Sequence, residues 1–96
     1  MTKNKQTTIK DSFEVLNDKG LHTRPSTELV KCATHFKSQV MLYYGDFTVN
    51  AKSLLGILML AACKGAKIQV EAQGSDAEEA VATILELARQ RFKIKY

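Results

Sequence analysis

Residues 67–72 read KIQVEA, in which polar and apolar side chains alternate without exception. Successive side chains of a β-strand point to opposite sides, so Ile68, Val70 and Ala72 share one face and the polar residues share the other. A strand with one apolar and one polar face is typical of an antiparallel sheet that is covered on one side only. The segment therefore predicts a sheet with helices against its apolar face.

Further strands and helices are predicted on both sides of this segment. Runs rich in β-branched and aromatic residues indicate strands, and apolar side chains at helical spacing indicate helices. The strands are expected at residues 11–16, 40–44, 47–49 and 67–72. The first helix is expected to begin at Pro25. The second is expected to follow an N-cap at Ser53 and to end near Lys64 and Gly65. The third is expected to follow a capping box at residues 75–78. The order β-α-β-β-α-β-α predicts a two-layer α+β open sandwich.

Length and charge narrow the class of protein. The 96 residues predict one domain spanning residues 1–96, of which residues 1–7 are expected to be a frayed tail. Much of the formal charge of +4 comes from lysines near the two ends, which do not form the basic stripe of a nucleic-acid-binding face. The remaining positive charge favours acidic protein partners. The polar N-terminus does not resemble a signal peptide, and the apolar run at residues 54–63 is too short to cross a bilayer. We therefore expect a cytoplasmic protein without membrane insertion, and a monomer by default.

The two cysteines, Cys32 and Cys63, lie in apolar helical runs. This placement predicts buried, reduced thiols rather than a disulfide framework. Their spacing is not that of a metal site. We expect neither a metal nor a cofactor.

Residues 20–26, GLHTRPS, place an imidazole and a guanidinium just before a proline suited to the first position of a helix. Free N–H groups of Ser26 and Thr27 would point back toward His22, at the positive end of the helix dipole. A phosphate dianion on His22 would meet these donors together with the Arg24 guanidinium. A neutral imidazole attacks phosphorus without a general base, so the motif predicts a phosphoryl-accepting histidine. The alternative is an ordinary loop histidine, since short motifs match often by chance.

The predicted second helix is apolar on nearly every side. A short helix on a sheet buries one stripe, here expected to be Ile57, Leu60 and Ala61. The remaining leucines would form an exposed apolar patch, and such patches usually mark partner sites. The leucines concerned are Leu54, Leu55 and Leu58. The alternative is that a neighbouring loop or the N-terminal segment covers them.

Two motifs of the chain, GLHTRPS and VNAKSLLGILMLAACKGAKI at residues 49–68, closely resemble those of the HPr family. These are the histidine-containing phosphocarrier proteins of the bacterial sugar phosphotransferase system. The resemblance covers about residues 13–92. The family fold, a four-stranded antiparallel sheet with three helices on one face, agrees with the predicted order. The resemblance implies a phosphoryl carrier rather than an enzyme. Such a carrier accepts phosphate from enzyme I and passes it to IIA components of sugar permeases.

The resemblance also implies roles for individual residues. His22 would be phosphorylated on Nδ1 by enzyme I at the expense of phosphoenolpyruvate, with Arg24 beside that phosphate. Ser53 corresponds to a serine that a dedicated kinase, the HPr kinase/phosphorylase, modifies in some bacteria. Ser26 stands where the family usually has alanine. The surface that binds enzyme I and the IIA domains would comprise Thr27, Leu54, Leu55 and Leu58.

Two alternatives to a sugar-transport carrier remain open. The first is a regulatory relative, which serves a nitrogen or incomplete phosphotransferase branch or acts through Ser53. The presence of His22 does not separate these branches. The second is a small basic RNA-binding domain, which is disfavoured because the strands lack the aromatic motifs that stack bases and the basic residues are scattered.

Overall fold

The structure, a computed structural model, describes residues 7–96 and contains four strands and three helices in this range. The strands are β1 (Thr7–Glu14), β2 (Gln39–Tyr44), β3 (Phe47–Asn50) and β4 (Lys67–Gly74). The helices are α1 (Thr23–Thr34), α2 (Leu54–Met59) and α3 (Ala77–Arg89), and a 3-10 turn follows at Arg91–Lys93. Neighbouring strands are antiparallel, in the order β1-β4-β2-β3. The predicted α+β open-faced sandwich is confirmed.

The strand β4 lies between β1 and β2, and its faces alternate as the sequence predicts. Its apolar side chains are buried, whereas Lys67 and Gln69 are exposed on the other face. In the adjacent strands Phe13 lies opposite Ile68 and Leu42 lies opposite Val70, and all four are buried. Full burial of a side chain of this size contributes about 1.5–3 kcal/mol. This face of the sheet is therefore the main part of the core.

The first strand begins earlier than predicted. Thr7 pairs with Gly74, so β1 starts four residues before the expected residue 11. The reason is that β4 continues to Gly74 and offers a partner over its whole length. The predicted frayed tail, residues 1–7, lies outside the described residues except for Thr7. The bounds of β2 and β3 agree with the prediction to within one residue.

The first helix begins two residues before Pro25, with His22 as its N-cap. The backbone N–H of Ser26 donates to the carbonyl oxygen of His22 at 3.0 Å and closes the first turn. Pro25 is therefore the third residue of the helix rather than the first. Its missing N–H costs nothing there, because the first N–H groups of a helix have no intrahelical acceptor.

The second helix ends at the C-cap Leu60, well before the predicted end near Lys64. Ala61 has a positive φ of 48°, which ends the helix, and its side chain is exposed rather than buried as predicted. The following chain then pairs with the segment before α1, where the N–H of Leu21 donates to the carbonyl of Ala62 at 2.9 Å. Because the helix has ended before it, Cys63 does not lie on a buried helix face; it is exposed, and the prediction of a buried thiol is wrong for this residue.

The other thiol and the third helix also depart from the prediction in detail. Cys32 is half-buried, and its partial burial raises its pKa. The third helix is capped by Asp76, but its side chain makes no cap hydrogen bond. The Asp76 carboxylate instead accepts hydrogen bonds from the Ser38 hydroxyl and from the backbone N–H groups of Lys37 and Ser38, the latter two at 2.9 Å. These bonds, that of the Ser38 hydroxyl first, hold the pKa of Asp76 below its usual value.

Candidate functional site

The loop that carries His22 is fixed by close backbone packing. Gly20 has a positive φ of 72°, and a Cβ at this position would overlap the Ala62 carbonyl and lie 2.9 Å from the Cα of Cys63. The N–H of Gly20 also donates to the carbonyl of Asn17 at 3.0 Å. Only glycine combines this backbone conformation with so close an approach. The main chain before His22 is thus held against the segment that follows α2.

The His22 ring is half-buried, and its two nitrogens differ. The Nε2 atom is buried and has no hydrogen-bond partner among the described residues. The ring is therefore bordered by the protein at Nε2.

The N–H donors near His22 belong to other residues than predicted. Because α1 begins at Thr23, the N–H of Ser26 is already bonded to the His22 carbonyl, and the earliest N–H groups of the helix are those of Thr23 and Arg24. The Thr27 hydroxyl is also occupied, since it donates to the Thr23 carbonyl at 2.8 Å. The side chain of Ser26 is buried and donates to the Leu21 carbonyl at 3.0 Å. Its hydroxyl thus joins the helix to the loop instead of facing a ligand.

Arg24 is exposed and contacts a residue that the sequence did not single out. Its Nη1 donates to the phenolic oxygen of Tyr96 at 3.0 Å. The main chain at Tyr96 is held in turn by Asn17, whose buried amide donates to the Tyr96 carbonyl at 3.1 Å and to the Arg91 carbonyl at 2.9 Å. Neither Tyr96 nor Asn17 shows a sequence pattern that indicates this role, because the contacts join the two ends of the fold.

The predicted N-cap at Ser53 is confirmed. Its Oγ accepts a hydrogen bond from the backbone N–H of Gly56 at 3.0 Å, and the side chain is half-buried. The residue opens α2, which contacts α1. Modification of this hydroxyl would place charge at the start of the leucine-rich helix.

The apolar surface of α2 differs by one residue from the predicted patch. Leu55 is 70% exposed and Leu54 is 37% exposed, as expected for a patch. Leu58 is half-buried, and Met59, which the sequence analysis did not name, is 59% exposed. The helix buries Ile57 on its other side, as predicted. We call Leu54, Leu55, Leu58 and Met59 the α2 patch.

Two features are absent from the described residues, 7–96. No group of three or more His, Cys, Asp or Glu side chains in this range is arranged to hold a metal ion. No helix in the same range has the length and apolar character needed to span a membrane.

Comparison with known proteins identifies the family. Residues 9–90 match the family model described as "PTS HPr component phosphorylation site". The chain is 40% identical over 84 residues to the "Phosphocarrier protein HPr" of Neisseria meningitidis. The matched residues make up 88% of this chain and 94% of the relative. The crystal structure of HPr from Thermoanaerobacter tengcongensis is 34% identical, with a TM-score of 0.82, over 97% of this chain and 100% of that one. HPr from Bacillus anthracis is also 34% identical, with a TM-score of 0.79, over 82% of this chain and 94% of that one.

A fold and a histidine site of this kind define a phosphoryl carrier. The chain belongs to the HPr family, the phosphocarrier proteins of the phosphotransferase system. This membership favours the phosphocarrier over the RNA-binding alternative.

Proposed function

We propose that His22 accepts a phosphoryl group on Nδ1 from phosphorylated enzyme I, whose own donor is phosphoenolpyruvate, and passes it to IIA components of sugar permeases. The observation that carries this proposal is the position of His22. His22 is the N-cap residue of α1, its Nε2 is buried, and Arg24 follows two residues later. Membership of the HPr family supports the same chemistry.

The transfer is an in-line displacement at phosphorus. The lone pair of His22 Nδ1 forms the new N–P bond, while the bond from phosphorus to its donor atom breaks and leaves its electron pair on enzyme I. The ring then carries the phosphoryl group on Nδ1 and a proton on Nε2. The same displacement, with a nucleophile of the IIA domain, removes the group again. Positioning and electrostatic stabilisation account for most of the catalysis of such steps.

Hydrogen-bond donors at the start of α1 would stabilise the negative charge of the transferred phosphoryl group. The N–H groups of Thr23 and Arg24 open α1, where the helix dipole favours an anion. The Arg24 guanidinium has five N–H donors, of which Tyr96 engages one. Arg24 is therefore free to bind phosphate oxygens with the others.

The α2 patch is the proposed docking surface for enzyme I and the IIA domains, with Thr27 on the neighbouring helix. Exposed apolar side chains that lie together on a monomeric protein mark interaction sites. The net charge of +4 favours acidic partner surfaces and increases the rate of encounter. Ser53 lies at the edge of this patch, so phosphorylation of Ser53 by a kinase would regulate docking.

The cellular setting is part of the proposal. A carrier between enzyme I and permease domains works in the cytoplasm, and a monomer exposes the patch to each partner in turn. A carrier of a regulatory or nitrogen branch would use the same site, and the experiment below applies to both. The genes next to the coding sequence, above all one for enzyme I or for a Ser53 kinase, would distinguish them.

The test is phosphorylation in solution with phosphoenolpyruvate and a matching enzyme I. The protein is expected to gain one phosphate that is labile in acid and stable in base, as phosphoramidates are and phosphoserine is not. His22→Ala is expected to abolish labelling, and His35→Ala is the matched control, because His35 is an exposed histidine near the other end of α1. Labelling that persists in His22→Ala would refute the proposal.

A further inference from the structure

The segment after α3 returns to the loop that carries the proposed phosphoryl site. Arg91, Phe92 and Lys93 all have positive φ values, 55°, 56° and 65°. This conformation is strained for a residue with a side chain, so it persists only where the surrounding contacts impose it. The ring of Phe92 is fully buried and meets Phe13 edge to face at 5.9 Å between centroids. The core therefore sets the direction in which the chain leaves the turn.

A second contact fixes the chain beyond the turn. The buried amide of Asn17 bridges the carbonyls of Arg91 and Tyr96, and Asn17 lies five residues before His22. Hydrogen bonds to a buried side chain are costly to break, since the freed groups would be left without partners. Tyr96 is thus tied to the same loop that presents the histidine.

The side chain of Tyr96 contacts two cationic side chains, those of Arg24 and Lys19. Its phenolic oxygen accepts from Arg24 Nη1, and the Nζ of Lys19 lies 5.8 Å from the centroid of its ring. The ring face attracts the ammonium group and the oxygen attracts the guanidinium. The first contact joins Tyr96 to Arg24, and the second restricts the Tyr96 ring that carries the phenolic oxygen.

We propose that Tyr96 is a positioning residue that holds the Arg24 guanidinium at the phosphoryl site before phosphate arrives. The inference rests on the proposed phosphorylation of His22. An exposed arginine samples many rotamers, and ordering its side chain on binding costs conformational entropy. The bond to Tyr96 restricts Arg24 in advance. The acceptor is a neutral phenol that occupies one of the five donors, so it does not compete with a dianion for the rest.

The experiment measures the rate of His22 phosphorylation by enzyme I for Tyr96→Phe, Arg24→Ala and the double variant. Tyr96→Phe keeps the ring and its contact with Lys19 but removes the oxygen. Loss of one such hydrogen bond is expected to slow transfer about two- to tenfold. In the Arg24→Ala background the same change is expected to have no effect, because Tyr96 acts through Arg24. Tyr43→Phe is the matched control, since its phenol bonds Glu71 on the open face of the sheet.

The outcomes separate this inference from the proposed function. If the parent protein takes no phosphate on His22, the proposed function fails. If the parent is labelled and Tyr96→Phe transfers at the same rate, or slows equally with and without Arg24, the positioning role is refuted. Thermal melts of the variants are expected to match that of the parent, because the Arg24–Tyr96 contact is exposed.

Discussion

Ser53 has a structural role as a helix cap and a proposed role in the control of docking. Comparison of the parent with Ser53→Ala and Ser53→Asp separates these two roles. Ser53→Ala removes the 3.0 Å hydrogen bond from Gly56 to Oγ. Loss of such a cap costs about 1 kcal/mol, which lowers the melting temperature of a domain of this size by about 4–8 °C. The α2 patch is unchanged, so transfer to His22 is expected to proceed at the parent rate.

Ser53→Asp is expected to give the opposite pattern. Its carboxylate is a good N-cap acceptor, so the fold should melt near the parent temperature. It also places a negative charge beside Leu54 and Leu55, and a partner that buries this patch must desolvate that charge. The desolvation of a buried, unpaired ion costs several kcal/mol, which predicts transfer at least tenfold slower. Phosphorylated Ser53, with a charge of about −1.5 to −2, should behave likewise.

The assay is the initial rate of His22 phosphorylation by enzyme I for the parent, the alanine form and the aspartate form, with a thermal melt of each. Ser75→Asp is the matched control, because Ser75 is an exposed serine that precedes α3 and lies outside the α2 patch. Its transfer rate is expected to equal that of the parent. An aspartate form at residue 53 that transfers as fast as the parent would show that Ser53 is only a helix cap.

Two further predictions concern the docking surface and the stability of the fold. Leu55→Ala should melt like the parent, because the side chain is 70% exposed, but should raise the KM for transfer from enzyme I about tenfold or more, since full burial of a leucine contributes about 1.5–3 kcal/mol; an unchanged KM would place docking elsewhere. Asp76 has a lowered pKa in the folded state, so its contribution to stability is complete above the usual aspartate pKa near 4 and is lost as the pH falls through the lower folded value. Urea midpoints measured from pH 7 to 2 should therefore show a smaller acid loss for Asp76→Asn than for the parent, with Asp46→Asn as an exposed control, and equal profiles for all three would contradict this role.

Local patterns in the sequence were enough to predict the fold class and the candidate histidine. The alternation at residues 67–72 depends only on which side each side chain takes, and tertiary contacts reinforced it. The GLHTRPS motif likewise keeps its residues close together along the chain. Each of these predictions rests on neighbours within a few positions, where the periodicity of strands and helices is informative.

The details that the sequence did not predict depend on contacts between distant segments. The second helix ends at its C-cap Leu60, and the chain after it pairs with a distant loop, where the Leu21 N–H donates to the Ala62 carbonyl and Gly20 packs against Ala62. No local pattern marks Ala61 as the stop. In the same way, Pro25 indicated a helix start but not its position, since proline fits any position of the first turn. The Arg24–Tyr96 contact spans 72 positions and has no sequence signal at all.

The proposed site at His22 has properties that suit a phosphoryl carrier better than an enzyme pocket. An enzyme that holds a reactive phosphoryl group surrounds it with many buried donors, whereas here Arg24 is exposed and the early N–H groups of α1 lie at the edge of the fold. Tight binding of the phosphoryl group would lower the energy of the phosphorylated state and so slow its onward transfer. A rigid backbone around Gly20 with few, exposed donors avoids that cost. If His22 carries the phosphoryl group as proposed, this geometry would fix the loop that bears the histidine and leave the group accessible to the next acceptor.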